Sequence, residues 1–291
     1  GEKAPSDSEL LADFVHYVFI EQIAAAGAMG QGLVDRKIDP VAFVRMVDAS
    51  SAKRFQDAVL RAQRHDALEP VAAKLWSLYE SGKRATVRSA ASIAENIQLL
   101  TQGAAQRQLG AGRLMAAREY AMPQLLQALM QKQDGRLQAE VRQLMVDMSR
   151  DAVMPLCAAL PQVEPFAQQT LAYILGDIGY PAAVPFLHQL RAKSDVADVQ
   201  RACDDAIRKI VGVVNETVPV SQRFVALAEN YYAESPSLTI FPGESHQLMW
   251  AYDPGAGLIM QAVDTPVYHE AMAMRLCEIA LREDAANPRA V

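Results

Sequence analysis

Apolar residues recur at helical spacing through the middle of the chain, at roughly residues 104 to 212. Positions i, i+3, i+4 and i+7 are apolar in three segments, which begin at Val141, Leu171 and Cys203. Between them lie shorter segments of the same or closely related spacing, which begin at Met122, Val153 and Ala183. Because a helix returns to the same face about every 3.6 residues, this pattern predicts alternating longer and shorter amphipathic helices.

A proline falls in the opening turn of each shorter helix, at Pro123, Pro155 and Pro185. Its missing N–H is harmless at that position. The prolines are 32 and 30 residues apart, so the pattern repeats about every 30 residues with two helices in each period. One helix pair cannot bury both of its apolar faces, whereas stacked pairs bury a continuous core. The sequence therefore predicts an α-solenoid over residues 104–212.

The N-terminal region, residues 1–103, is predicted to be helical without a repeat. Ser6 or Ser8 can cap a helix that begins near Glu9 and runs to about Gly30. A shorter helix begins at Pro40. Further helices are expected at about 51–64, 69–81 and 83–101.

The C-terminal region, residues 217–291, is predicted to contain a helix pair with a β insertion at about 238–263. Three short β-prone runs are separated by turns rich in Pro and Gly; they are Leu238 to Phe241, Gln247 to Tyr252 and Leu258 to Val263. We expect a small three-stranded antiparallel meander. The predicted fold class is all-α, an α-solenoid with this meander near its C-terminus.

Two stretches resemble known repeat families. Leu175-Gly176-Asp177-Ile178-Gly179, followed by Ala183-Val184-Pro185-Phe186-Leu187, is similar to the short bacterial form of the HEAT-like repeat. Phe224-x-x-Leu227-Ala228-x-x-Tyr231, with Ala273, Cys277, Ala280 and Leu281, resembles a tetratricopeptide helix pair. The HEAT-like resemblance covers only about residues 104–212, and it implies a curved α-solenoid that serves mostly as a binding scaffold. Some HEAT-like proteins instead act as chromophore lyases or DNA glycosylases.

Composition and charge narrow the range of partners. Hydrophobic residues make up 51% of the chain and aromatic residues only 7%, which suits close helix packing. The formal net charge of −6 leaves no cationic excess to neutralise a phosphate backbone, so nucleic acid is not expected as a partner. The most apolar run, Phe14 to Val34, carries Glu21 and predicts a buried helix rather than a membrane span. Three widely spaced cysteines neither demand nor exclude an oxidising compartment, so cytoplasmic and periplasmic locations both stay open.

Local signatures of catalysis are missing from the sequence. It has no nucleophile elbow and no phosphate-binding loop, and none of the five histidines has a second ligand at helical spacing. We therefore predict no catalytic residue, metal ligand or cofactor, although a triad assembled from distant residues stays possible. The favoured function is an interaction scaffold for a protein or peptide. The alternatives are a small-ligand carrier or lyase-type enzyme, and a structural coat-like array.

The predicted binding surface is the row of positions on the shorter helices that the apolar core does not use. Those residues are Gln124, Gln127, Ala159, His188, Gln189 and Arg191. The row is nearly neutral and low in bulk, and it suits a docked helix or extended peptide. The alternative is that the row is merely solvated, or covered by the N-terminal helices.

Trp250 and Tyr252 form a second candidate site. They alternate with Met249 and Ala251 in a predicted strand, so both rings lie on one face. That face either packs against a neighbouring helix or forms an exposed aromatic dock.

Overall fold

The computed structural model describes residues 5–131 and 134–290, and it is helical apart from one β-hairpin. The prediction of an all-α fold with a small antiparallel β insertion near the C-terminus is confirmed. Contacts divide the chain into two compact units, Gly1–Ile93 and Ala94–Val291. The second unit contains both the predicted solenoid region, residues 104–212, and the described part of the C-terminal region, residues 217–290. Among the described helices, none is long and apolar enough to cross a membrane.

The described part of the first unit, residues 5–93, contains five complete helices around one core. They are α1 (Asp7–Phe19), α2 (Ile23–Asp35), α3 (Pro40–Ser50), α4 (Ala52–Ala62) and α5 (Glu69–Val87). The Phe55 ring lies at the centre of an aromatic cluster in this core, 5.6 Å from the Phe43 ring and 5.3 Å from the Tyr79 ring. All three rings are buried.

The prediction of one helix from about Glu9 to Gly30 is wrong. The chain reverses at residues 20–22, where Glu21 adopts the left-handed conformation with φ of 59°. α1 and α2 then pack against each other, which buries the apolar run without a long helix. Ser6 caps α1 and forms a reciprocal capping box with Glu9; of the two predicted caps, Ser6 is therefore correct.

The predicted break between helices near residue 82 is also wrong, because α5 continues to Val87 and the next helix, α6, spans Ala90–Leu99. Gly82 lies inside α5 because α3 approaches closely there. A Cβ at Gly82 would lie 2.0 Å from the carbonyl oxygen of Pro40. This glycine therefore serves helix packing and does not end a helix.

The second unit contains the six helices predicted from the apolar spacing, preceded by one further helix and followed by the predicted C-terminal helix pair. They are α7 (Ala104–Ala117), α8 (Met122–Met130), α9 (Gly135–Asp147), α10 (Arg150–Ala159), α11 (Pro165–Ile178), α12 (Val184–Lys193), α13 (Ala197–Val211), α14 (Val220–Tyr232) and α15 (Thr265–Glu283). The longer helices stack in order, since α11 packs against both α9 and α13. The shorter helix α12 packs against α13 and α14, and α14 packs along α15.

The longer helices of this stack end on residues with positive φ. These residues are Arg118, Ser149, Gly179 and Gly212, with φ of 56°, 54°, 73° and 81°. Only two of them are glycine, the residue that adopts this conformation at little cost. Each of the four lies just after the end of its helix, where the chain turns away.

Gly176 and Asp177 fix the contact between neighbouring longer helices. A Cβ at Gly176 would lie 2.8 Å from Cα of Ala206 on α13, so only glycine permits this approach. Asp177 accepts hydrogen bonds from Lys209 of α13 at 2.6 Å and Arg142 of α9 at 3.2 Å. Burial raises the pKa of Asp177, but these two bonds outweigh it and lower the pKa overall.

The β insertion is a two-stranded hairpin rather than the predicted three-stranded meander. β1 (His246–Asp253) pairs with β2 (Gly257–Asp264) in antiparallel register, with Trp250 opposite Met260. The third predicted run, Leu238 to Phe241, contains no strand in the described structure. Instead the buried Gln247 side chain accepts from the Phe241 N–H at 2.9 Å and donates to its carbonyl at 2.6 Å. One amide side chain thus satisfies the N–H and the C=O of Phe241, which a third strand would otherwise have to pair.

Candidate functional site

The shorter helices of the stack are covered by the chain's own C-terminal elements. β1 packs on α10, β2 packs on α8, and α14 packs on α12. At the far end of α15, Glu283 accepts a hydrogen bond from Gln189 of α12 at 2.6 Å and pairs with Lys193. The groove expected to receive a partner is therefore filled in large part by the hairpin and α15.

Two residues of the predicted groove row are buried, which corrects the prediction. Ala159 has no exposed surface, and His188 is 6% exposed. The shorter helices are buried on nearly all sides, because the longer helices cover one face and the C-terminal elements cover another. Burial, together with the charges of Arg223 and Arg191, lowers the pKa of His188 to about 4.

Two other residues of the row are held by contacts within the chain. Gln189 is bonded to Glu283. Arg191 binds Asp204 of α13 and Glu216 of the following linker, and these bonds, the Asp204 bond above all, raise its pKa. Both side chains thus tie elements of the second unit together.

The remaining row residues, Gln124 and Gln127, lie on α8. Gln124 is partly buried and Gln127 is exposed. Of the six predicted positions, Gln127 is the only exposed one, so the row does not form a continuous surface.

Trp250 is buried and Tyr252 is partly buried, which agrees with the packing alternative and not with an exposed aromatic dock. The indole Nε1 of Trp250 donates a hydrogen bond to the buried carboxylate of Glu119 at 3.0 Å. Glu119 lies in the turn between α7 and α8. Its neighbour Arg118 is fixed by a bidentate pair with Asp151, at 2.8 and 3.1 Å. This chain of contacts fixes the indole within the second unit.

A cavity of about 290 Å³ remains between α10, α12, β1 and α15. Its apolar wall combines residues from all four elements: Met154, Cys157, Ala158, Phe186, Leu248, Trp250, Met272, Leu276 and Ile279. Its polar lining consists of Gln162, Gln189, Lys193, Arg275, Arg282 and Glu283. The cavity is the part of the expected groove that the C-terminal elements leave open.

Arg275 is the unusual member of this lining. It is partly buried, and its guanidinium makes no hydrogen bond or ion pair with any residue that the structure describes. Burial and the nearby charge of Arg282 lower its pKa from the usual arginine value, and the charge of Glu278 opposes them only in part. Glu283, in contrast, is already bound by Lys193 and Gln189. The cavity therefore presents the guanidinium of Arg275 beside an apolar wall. The carboxylate in its lining, that of Glu283, is already bound within the chain.

The groups in the cavity lining favour binding over acid–base or nucleophilic chemistry. Burial raises the pKa of the Cys157 thiol far above its usual value, so the thiol stays protonated and unreactive. Within the described residues, no group of three or more His, Cys, Asp or Glu side chains is placed to hold a metal ion.

Sequence reasoning did not identify Arg275, although a signal was present. Met272, Leu276 and Ile279 follow the i, i+4, i+7 spacing of an apolar helix face, and Arg275 lies on that same face. A buried charge is usually paired, and a long arginine side chain can also reach solvent, so a charge within an apolar stripe marks a position to examine.

The geometry of this cavity is the main structural basis for assigning a function. The apolar wall and the guanidinium of Arg275 come from elements far apart in the sequence, brought together by the fold of the second unit. No protein-family model, no curated protein and no solved structure matches this chain significantly.

Proposed function

We propose that this protein is a non-enzymatic interaction scaffold that binds a peptide segment of a protein partner in the cavity between α10, α12, β1 and α15. The observation that carries the proposal is the combination of an apolar wall with an arginine that has no partner among the described residues. Residues 175–190 also resemble HEAT-like repeats, and this resemblance implies a scaffold, because such repeats mostly serve as binding surfaces.

The size of the cavity fits a peptide side chain as its occupant. About 290 Å³ is at the lower end of the range of roughly 300–1,000 Å³ that is usual for small-molecule and cofactor sites. One or two apolar side chains fit this space, while the rest of a peptide lies on the surrounding surface. Peptide recognition commonly combines such a pocket with hydrogen bonds to the peptide backbone.

The state of the polar lining supports binding rather than catalysis. Glu283 is held by two donors, and the Cys157 thiol is protonated. A general base or nucleophile needs a group of shifted pKa that is free to accept a proton or attack a substrate. The lining instead supplies donors, in Arg275, Arg282 and Gln162.

A peptide selection with a filled cavity tests the proposal. Random peptides displayed with free C-termini are selected on the unaltered protein, and the enriched peptides are then measured against two variants. Ala158→Phe places a ring in the cavity, because Ala158 lines it. Ala139→Phe adds the same ring at an exposed position of α9 and serves as the control.

We expect Ala158→Phe to weaken binding at least about tenfold, or about 1.4 kcal/mol, and Ala139→Phe to leave binding unchanged. If no peptide is enriched, or if the enriched peptides bind both variants equally, the cavity is not a peptide site.

A further inference from the structure

We propose that the cavity binds the C-terminal residue of its partner, with the terminal carboxylate on Arg275 and an apolar terminal side chain against Trp250 and Met272. This inference rests on the proposed peptide-binding function and specifies which part of the peptide enters.

The position of Arg275 implies a carboxylate ligand. Arg275 is partly buried, and its guanidinium makes no hydrogen bond or ion pair with the described residues, so its donors are available to a ligand. Its planar fork matches the two oxygens of a carboxylate, which it binds through two parallel N–H···O bonds. An incoming carboxylate would satisfy these donors.

The charges around the cavity favour the same ligand. Lys193, Arg275 and Arg282 line it together with a single carboxylate, that of Glu283. This local excess of positive charge stands out in a chain with a formal net charge of −6. Lys193 already pairs with Glu283, and Glu278 acts on Arg275 from outside the lining, so the cations of the lining without an ion pair are Arg275 and Arg282.

The apolar wall next to Arg275 favours a peptide C-terminus over an isolated anion as the ligand. Met272 and Leu276 lie on the same face of α15 as Arg275, and Leu248 and Trp250 of β1 line the same cavity. A C-terminal residue carries its carboxylate and its side chain on one Cα, so it can place both groups in a cavity of about 290 Å³. Capture of a terminal carboxylate is an established mode of peptide recognition.

The binding experiment uses defined probes, and its reporters are methionine methyl groups inside and outside the cavity. The probes are acetyl-Gly-Gly-Gly-Leu with a free carboxylate, the same peptide as its C-terminal amide, and octanoate. The protein is labelled with ¹³C in its methionine methyl groups. Met154 and Met272 line the cavity and report binding, whereas Met274 is 67% exposed and outside the lining, and serves as the control.

We expect the free-acid peptide to shift the Met154 and Met272 signals saturably and not the Met274 signal. It should bind at least about tenfold more tightly than the amide. Arg275→Gln should bring the two affinities to within about twofold of each other, while Arg201→Gln, at an exposed site on α13, should leave the preference intact. Arg275→Lys keeps the charge without the fork, and should retain part of the preference.

Other outcomes would overturn the inference in distinguishable ways. Equal binding of acid and amide at Met154 and Met272 would leave the peptide cavity standing and remove the role of the carboxylate. Tighter binding of octanoate than of the free-acid peptide would identify a carrier of small carboxylates. No shift of either methyl by any probe would contradict both the inference and the proposed function.

Discussion

The Nε2 atom of Gln189 donates a hydrogen bond to Oε1 of Glu283 at 2.6 Å, across 94 residues of sequence. This bond attaches the end of the C-terminal helix α15 to α12, at a residue of the surface expected to receive a partner. The fold therefore covers part of that surface with its own chain and leaves a small cavity beside the bond.

Replacing Gln189 tests this attachment. Gln189→Glu loses the donor and places a second carboxylate against Glu283, a repulsion that Lys193 only partly offsets. We expect a loss of about 1–2 kcal/mol in the free energy of unfolding, measured by urea denaturation. The matched change Gln127→Glu, at an exposed position of α8, should leave the free energy of unfolding unchanged. Equal effects of the two changes would show that α15 is not attached at Gln189.

The close approach of α11 and α13 predicts opposite effects for two glycine substitutions. Gly176→Ala should destabilise the protein by about 1–3 kcal/mol, because the new Cβ overlaps Cα of Ala206. Gly112→Ala, in α7, meets no atom within 4 Å, and should stabilise the protein by about 0.5–1 kcal/mol through its higher helix propensity. Thermal melting of the two variants checks both signs. A neutral Gly176→Ala would mean that the two helices lie farther apart.

The buried His188 predicts a dependence of stability on pH. Its folded-state pKa of about 4 lies below the value of about 6.5 expected in the unfolded chain. Between these values the unfolded state binds more protons, so the protein loses stability as the pH falls from 7 towards 4. His188→Gln should flatten the fall in melting temperature between pH 7 and 5, whereas His65→Gln, at an exposed position, should not. An unchanged slope in His188→Gln would place His188 in contact with water.

The helices of the second unit could be predicted because their signals are local. The apolar spacing lies within each helix that it defines. Pro123 and Pro185 lie in the first turns of α8 and α12 as predicted, but the prediction is wrong for Pro155, because α10 already begins at Arg150 and holds Pro155 in its interior. The tight packing of Gly176 falls within the segment that resembles a HEAT-like repeat. The reversal at Glu21 has no such signal, since residues 20–22 contain neither Gly nor Pro. The left-handed Arg118 and Ser149 were unpredictable for the same reason.

The features that the sequence did not reveal depend on contacts between distant residues. Gln247 replaces a strand by bonding the backbone of Phe241, which strand propensity cannot anticipate. Ala159 and His188 are covered because the hairpin and the C-terminal helices pack against α10 and α12. Arg275 could have been noticed as a charge in an apolar stripe, but its place in a cavity follows only from the packing of four elements.

The central claim is that Arg275 is present for a ligand and not for the fold, and the melting temperature of Arg275→Leu tests it most directly. Leucine removes a partly buried cation that has no partner among the described residues and extends the apolar face formed by Met272, Leu276 and Ile279. A gain of about 1 kcal/mol corresponds to a rise of about 2–4 °C for a unit of this size. We expect such a rise. A fall in melting temperature by the same amount would show that Arg275 stabilises the fold, and would contradict the claim.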